Sequence, residues 1–488
     1  MKRYQAGCAL LAAGLLALAG CSQDVTSPAV APRSPALDAA VEADGQYLVL
    51  FRGNKVPAGF ESTVQGLGGS VTFVHAGAGF AALSGLDAAG AAQVGALGGV
   101  AEIHADRAFV VDQPHAAAET EMEAGDVAHS QANPATALRY TWQWNMRLIH
   151  ANTAWAAGKL GSPSITVAIL DTGIDYDAPD LNGLVDLSRS TSFMAADNAI
   201  AAKYFPTRHQ VTDFHGHGTN VATQVSSKAF AVAGVTSRTT LIGVKVLDRQ
   251  GNGFVSNALS GVLWAADHGA NVANMSLGGG FAKAGSGQLT SIINRVFNYA
   301  NRKGMMIVVS AGNDTEDLDH DGNQYSTYCN TVHVICVSSV GPEKASANPD
   351  NVSYYTNFGR SAITVAAPGG NADAANNFAL SPWPWGNDVA SWVWSYCPKN
   401  RIASVNPTTG VPSITACASG TRLSGYMGTS QAAPHVAGLA ALLMAEHGAG
   451  DVGAIRERIT ASAIDLGEPG TDPFYGRGRI DVAKALGL

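Results

Sequence analysis

The feature that most constrains this chain is a series of apolar, β-branched runs separated by helical stretches across residues 141–488. SerIleThrValAlaIleLeu (164–170), LeuIleGlyValLysValLeu (241–247), AsnValAlaAsnMetSer (271–276), MetMetIleValValSer (305–310) and ThrValHisValIleCysVal (331–337) are nearly continuous apolar segments. A strand with one wet face alternates; a strand covered on both faces does not have to. Helical candidates fall between the runs at 219–225, 257–268 and 289–302. The alternation predicts an α/β fold, a parallel sheet with helices on both faces and right-handed crossovers. In such sheets the chemistry gathers at the carboxyl ends of the strands.

Polar clusters stand at those ends. Asp171-Thr172-Gly173 follows the strand ending at Leu170, and Ser310-Ala311-Gly312-Asn313 ends the strand beginning at Met305. Gly216-His217-Gly218-Thr219 and Gly428-Thr429-Ser430 each open a helical stretch, the second running through 431–444 with Pro434 expected in its first turn. Acyl transfer needs a hydroxyl, a base to take its proton, a carboxylate to orient the base, and a donor for the oxyanion. Ser430, His217, Asp171 and Asn313 supply one of each. Taken singly, each has a plainer reading: a structural Asp-Thr-Gly, a helix cap, a turn asparagine, or a metal pair at His215 and His217 without the spacing of a zinc protease.

The order of these clusters and their flanks, AlaIleLeuAspThrGlyIleAsp (168–175), HisGlyHisGlyThrAsnValAla (215–222), AsnMetSerLeuGlyGly (274–279), SerAlaGlyAsnAsp (310–314), ValAlaAlaProGly (365–369) and GlyThrSerGlnAlaAlaProHisValAlaGly (428–438), resembles the subtilisin-like serine proteases. The resemblance implies Asp171 as orienting acid, His217 as general base, Ser430 as nucleophile and Asn313 as oxyanion donor. It implies that Ser276, Leu277, Gly278 and Gly279 form an edge for an extended polypeptide substrate, a β-augmentation. It implies no cofactor for the chemistry, with structural calcium at surface loops. Asn220 and Gln431 depart from the family's usual His and Met. Two rival functions share this frame: a silent lipid-anchored binding protein, and a maturation protease of narrow specificity.

Residues 46–112 read as a small α+β unit in the order β-α-β-β-α-β, the ferredoxin-like motif. It resembles the subtilase propeptide, an intramolecular inhibitor and folding assistant. Residues 113–140 lose periodicity and read as an exposed junction; the processing site is expected within 104–140. Upstream, Lys2 and Arg3 precede an apolar run (9–20) too short to span a bilayer, so 1–20 reads as a signal peptide. Leu18-Ala19-Gly20-Cys21 resembles a bacterial lipoprotein box, which implies lipid on Cys21, and 21–45 reads as a flexible tether. The expectation is an exported precursor held at the cell envelope through lipid, with the mature protease either released or retained through a propeptide that stays associated.

Cys329, Cys336, Cys397 and Cys417 are an even set in an exported chain; of three pairings, nearest-neighbour bridges are expected, with buried free thiols as the alternative. Asp317, Asp319 and Asp321 have the opening spacing of a calcium loop, but Tyr328 stands where a full EF-hand has Glu, so calcium and a solvated acidic loop both remain open. Trp383, Trp385, Trp392 and Trp394 fall between Gly369 and Gly428, as an access loop or as peripheral core. A net charge of -8 without a long basic run argues against nucleic acid as a partner.

Overall fold

The computed structural model describes residues 42–111, 118–122, 129–282, 286–320, 324–326, 328–343, 347–371 and 391–488. The signal segment, residues 21–41 of the expected tether with Cys21, Asp321, Trp383 and Trp385 lie outside the described residues. Residues 42–45, expected as tether, instead open the first strand.

The N-terminal unit runs β1 (Glu42–Phe51), α1 (Phe60–Gly66), β2 (Ser70–His75), β3 (Phe80–Ser84), α2 (Ala88–Gly95) and β4 (Val100–Val110). Its strands lie in the order β2-β3-β1-β4 with every neighbour antiparallel. Successive side chains of a strand point to opposite faces, and both faces of β1 are apolar. Val49 and Phe51 pack with Phe60 and Val64 of α1 and Val94 of α2. Leu48 and Leu50 face the other way, into a cluster shared with the rest of the chain.

A short strand follows, β5 (Ala118–Glu121), inside the segment expected to be an unstructured junction. Beyond it come α3 (Trp144–Leu148), α4 (Ala151–Ala156), β6 (Thr166–Asp171), β7 (Thr191–Ser192), α5 (Ala195–Tyr204), α6 (His217–Val225), β8 (Thr240–Lys245), β9 (Asn252–Phe254), α7 (Val255–Asp267), β10 (Val272–Met275), β11 (Gly280–Ala282) and α8 (Gly287–Arg302). The chain continues through β12 (Met306–Ser310), β13 (Gln324–Ser326), β14 (Val334–Val340), β15 (Val365–Pro368), β16 (Val393–Tyr396), β17 (Ile402–Val405), β18 (Pro412–Ile414), β19 (Arg422–Tyr426), α9 (Thr429–His447), α10 (Val452–Ser462) and α11 (Val482–Ala485).

The main sheet has seven strands in the order β15-β14-β12-β10-β6-β8-β7, all parallel. The five apolar runs become β6, β8, β10, β12 and β14; β15 and the two-residue β7 complete the edges. Residues of alternate parity fill two cores. Leu170, Val244, Met275 and Val309 face α7 and α8, whereas Ile169, Leu241, Val272 and Val308 face α6 and α9. From β6 the chain builds first toward β8 and later toward β10 and β12, so the strand order reverses beside β6. The crevice at such a reversal is where ligands bind in open α/β sheets.

The N-terminal unit lies on α7 and α8. His75 Nε2 meets Asp267 at 2.7 Å, and Arg295 Nε donates to Ala78 O at 2.8 Å. Two disulfides join Cys329 to Cys336 and Cys397 to Cys417, with Cα separations of 5.2 and 5.5 Å. Trp392 and Trp394 are buried in a core with Tyr355 and Tyr396, so these two act as packing.

Candidate active site

β6 is a central strand buried along its whole length, and it delivers Asp171 to the crevice. Asp171 Oδ1 accepts from Thr172 N (2.7 Å) and faces His217 Nδ1 at 2.8 Å, both side chains being fully buried. A carboxylate at Nδ1 holds the proton there and leaves the lone pair on Nε2. His217 Nε2 is buried and has no hydrogen-bond partner.

His217 is the first residue of α6, so its position depends on how that helix starts. Asp213 organises the start: Oδ1 accepts from Thr172 Oγ1 (3.0 Å), His215 N (2.9 Å) and Gly216 N (2.9 Å), and Oδ2 accepts from Thr219 N (2.9 Å) and Thr219 Oγ1 (2.6 Å). Burial alone would raise its carboxyl, but the bonds from Thr219 and Gly216 outweigh it and hold the group below the ordinary range. Gly218 is required by close approach, since a Cβ there would lie 2.2 Å from Gly173 O. His215 is separated from the role of base by its surroundings. Desolvation pushes it down to about 4, and its Nδ1 accepts from His217 N at 3.3 Å.

Ser430 is the second residue of α9, which begins two residues earlier than the sequence suggested. Pro434 is therefore inside the helix and not in its first turn. A proline has no N–H for the carbonyl four residues back, which is Ser430 O. That carbonyl is taken instead by Ser276 Oγ at 2.6 Å, and Asn274 Nδ2 supports Ser276 Oγ at 2.9 Å. Ser430 Oγ donates to Ser276 O at 3.2 Å and makes no hydrogen bond to His217. Asn313 approaches the same helix start: Oδ1 accepts from Thr429 N (2.8 Å) and Thr429 Oγ1 (2.9 Å), while Gly312 N donates to Thr429 Oγ1 (3.0 Å). This fixes the amide with its oxygen toward α9.

The expected substrate edge, residues 276–279, follows directly on β10. The Ser276 and Leu277 side chains are buried, and Ser276 Oγ is bonded to the backbone of Ser430. Gly279 is the residue that meets an extended chain, since a Cβ there would lie 2.6 Å from Phe109 Cβ of β4. The strand that pairs with that chain is β9, missed in the sequence: Ala108, Phe109 and Val110 lie antiparallel to Phe254, Gly253 and Asn252, and Val111 N donates to Gly251 O at 2.9 Å. Its only sequence signal was GlnGlyAsnGlyPhe (250–254) between a strand and a helix. The organising roles of Asp213 and Thr429 were equally hidden, although Asp213 lies two residues before one recognised cluster and Thr429 inside another. Asn220, the departure from the family pattern, donates to Val393 O (2.9 Å) and Ser395 Oγ (3.1 Å) and ties α6 to β16.

Two of the three calcium candidates, Asp317 and Asp319, are among the described residues, and both are engaged in hydrogen bonds. Asp317 accepts from Asp319 N (3.0 Å) and pairs with His320 (2.9 Å), and Asp319 accepts from Ser361 Oγ (2.5 Å) and Ser361 N (2.9 Å). Among the described residues the one cluster of metal-ligating types is Glu119 with Cys397 and Cys417, whose sulfurs are spent in a disulfide.

Fold and site together have the form of an α/β serine hydrolase. The family model described as "Subtilase family" matches residues 162–478. A thermophilic serine proteinase from Bacillus sp. (strain AK1) is 29% identical over 348 residues, covering 71% of this chain and 67% of that one. Thermitase from Thermoactinomyces vulgaris is 28% identical over 348 residues, 70% of this chain and 95% of its own. The solved structure of the epidermin leader peptide processing serine protease from Staphylococcus aureus shares the fold, with TM-score 0.66 and 21% identity over 91% of this chain and 98% of that one. The chain belongs to the subtilase family and is a serine endopeptidase of the subtilisin type, acting on polypeptides and needing no cofactor for the chemistry.

Proposed function

We propose that this chain is the exported, self-processing precursor of an endopeptidase whose triad is Asp171, His217 and Ser430, with Asn313 as side-chain oxyanion donor. The observation that carries the reading is an imidazole whose Nδ1 meets a buried carboxylate at 2.8 Å and whose Nε2 has no partner, in the crevice where Ser430 lies in the first turn of α9. Rotation of the Ser430 hydroxyl from Ser276 O toward Nε2 readies it; catalytic hydrogen bonds often tighten only with substrate bound. Ser430 Oγ attacks the scissile carbonyl carbon as His217 takes the proton, and Asn313 and the helix start stabilise the oxyanion. His217 returns the proton to the leaving amine, and water then releases the acyl group by the same route.

Residues 42–111 act as the inhibitory propeptide. Support comes from β4, whose last residues lie on β9 and against Gly279 as an extended substrate would. Cys21 carries lipid on the precursor, and processing within 104–140 frees the peptidase. No described helix is long and apolar enough to cross a membrane.

Expression of the parent chain beside Ser430→Ala and Asp171→Asn tests the reading. Ser430→Ala should lose about 10⁶-fold in kcat and remain unprocessed, and Asp171→Asn about 10⁴-fold. A Ser430→Ala chain that still cuts itself and hydrolyses peptides overturns the assignment. Mass analysis of the N-terminal fragment should find acyl mass on Cys21; an unmodified Cys21 rejects the anchor.

A further inference from the structure

β5 is not a loose connection. It lies antiparallel on the outer edge of β19, with Glu121, Thr120, Glu119 and Ala118 opposite Arg422, Leu423, Ser424 and Gly425, and Met122 N extends the ladder to Thr421 O at 2.6 Å. Its two carboxylates meet two guanidiniums: Glu119 pairs with Arg401 (2.6 Å) and Arg422 (3.5 Å), and Glu121 pairs with Arg422 (2.6 Å). Thr421 Oγ1 adds a bond to Glu121 at 3.1 Å. Arg401 belongs to the loop closed by the Cys397–Cys417 bridge, and Cys397 N donates to Arg422 O at 3.0 Å, so the disulfide holds both arginines in register. β19 leads through Tyr426, whose ring lies edge-on to His217 at 6.1 Å, directly into the turn before Ser430.

The chain thus lies along two strands that lead to the crevice. Upstream, Ala108–Val111 run along β9; downstream, 118–122 run along β19. We propose that the β19 edge with Arg401 and Arg422 is a recognition site for extended acidic peptide lying C-terminal to the bond that is cut, and that Glu119 and Glu121 are its resident occupants in the precursor. This rests on the endopeptidase reading above. Main-chain pairing gives such an edge affinity for any extended chain, and side chains beside it give selection. Partly exposed ion pairs are individually weak, so the resident strand can be exchanged. Once it leaves, two guanidiniums and a row of backbone groups face the incoming chain, and a carboxylate satisfies the guanidiniums better than an amide does.

The test uses processed enzyme carrying Glu119→Gln and Glu121→Gln, which loosens the resident strand. Internally quenched peptides carry a Glu-x-Glu or Gln-x-Gln pair walked along the positions C-terminal to the cut. At one register, kcat/KM for the Glu peptide should exceed that for the Gln peptide roughly tenfold, mainly through KM. Adding Arg401→Gln and Arg422→Gln should return the ratio to about one, and Arg422→Glu should shift preference toward Lys-x-Lys peptides. The ratio is internal to each preparation and independent of the fraction that folds. A ratio near one at every register, in enzyme that cleaves the Gln peptides, overturns the acidic site and leaves the endopeptidase standing. A preference that survives loss of both arginines also overturns it. Parent enzyme that cleaves none of the peptides fails the endopeptidase reading and this one with it.

Discussion

The two sheets of this molecule solve the same problem differently. The seven-stranded sheet is covered on both faces by helices of its own domain, α7 and α8 on one side and α6 and α9 on the other. The N-terminal sheet has helices of its own on one face only. Its other face, with Leu48, Leu50, Phe80 and Ala82, is closed by α7 and α8. One sheet is complete by itself, and the other borrows half its core. Under the proposed processing, the segment that is cut away is held by a surface it needs for its own folding, which links inhibition to stability.

The largest expected effect follows from separating the two. Exposing Leu48, Leu50, Phe80 and Phe109 forfeits about 2 kcal/mol each, which is comparable with the whole stability of a small domain. Residues 42–111 alone should be largely unfolded by circular dichroism and should fold on adding processed peptidase. A cooperative thermal transition in the isolated fragment would break the comparison. Within the full precursor, Phe80→Ala should cost about 3–5 kcal/mol, seen as earlier chemical unfolding of the N-terminal unit while the peptidase transition stays in place.

A pH effect sharpens the contrast. Asp106 of β4 accepts from Ser256 N in the first turn of α7 (3.1 Å) and from Arg107 N (2.8 Å), but its Oδ2 is buried without a partner. Burial pushes it from 3.8 up to about 6, and the bonds from Ser256 and Arg107 and the charge of nearby His104 offset only part of that. Tyr328, also buried, faces it. The docked unit therefore binds this proton more tightly than the free one. Docking contributed here is fully present below about 4, is lost as pH rises to about 6, and is level above, a change of at most about 3 kcal/mol. Asp106→Asn should flatten the pH dependence of inhibition by the added N-terminal unit; an unchanged slope assigns it elsewhere. The smallest effect belongs to the self-contained sheet. Ser276→Ala leaves Ser430 O without its donor and should cost about 1–3 kcal/mol in the peptidase transition, with binding of the N-terminal unit unaltered.

Much of the large sheet was legible because strands covered twice over are apolar throughout, and β6, β8, β10, β12 and β14 all read that way. The same logic applies at β1. TyrLeuValLeuPhe (47–51) is apolar on both parities, which signals a second covering layer that no helix of the unit supplies. Asp171, His217, Ser430 and Asn313 were readable because they sit in motifs at element ends. Asp213, Thr429 and β9 were not, since their roles come from contacts across the crevice. β5 was hidden for a further reason: its partner β19 lies some 300 residues away, and four residues carry too little pattern to announce a strand.

Pro434 has a consequence of its own. An alanine there would let the helix bond back to the carbonyl of Ser430, making it more regular and, by propensity, more stable. It would also compete with Ser276 for that oxygen and loosen the tie of Ser430 to the neighbouring strand. Helical perfection and a well-aimed hydroxyl are opposed at this position, and the chain carries a flaw in the longest of its described helices at the point where aim matters most.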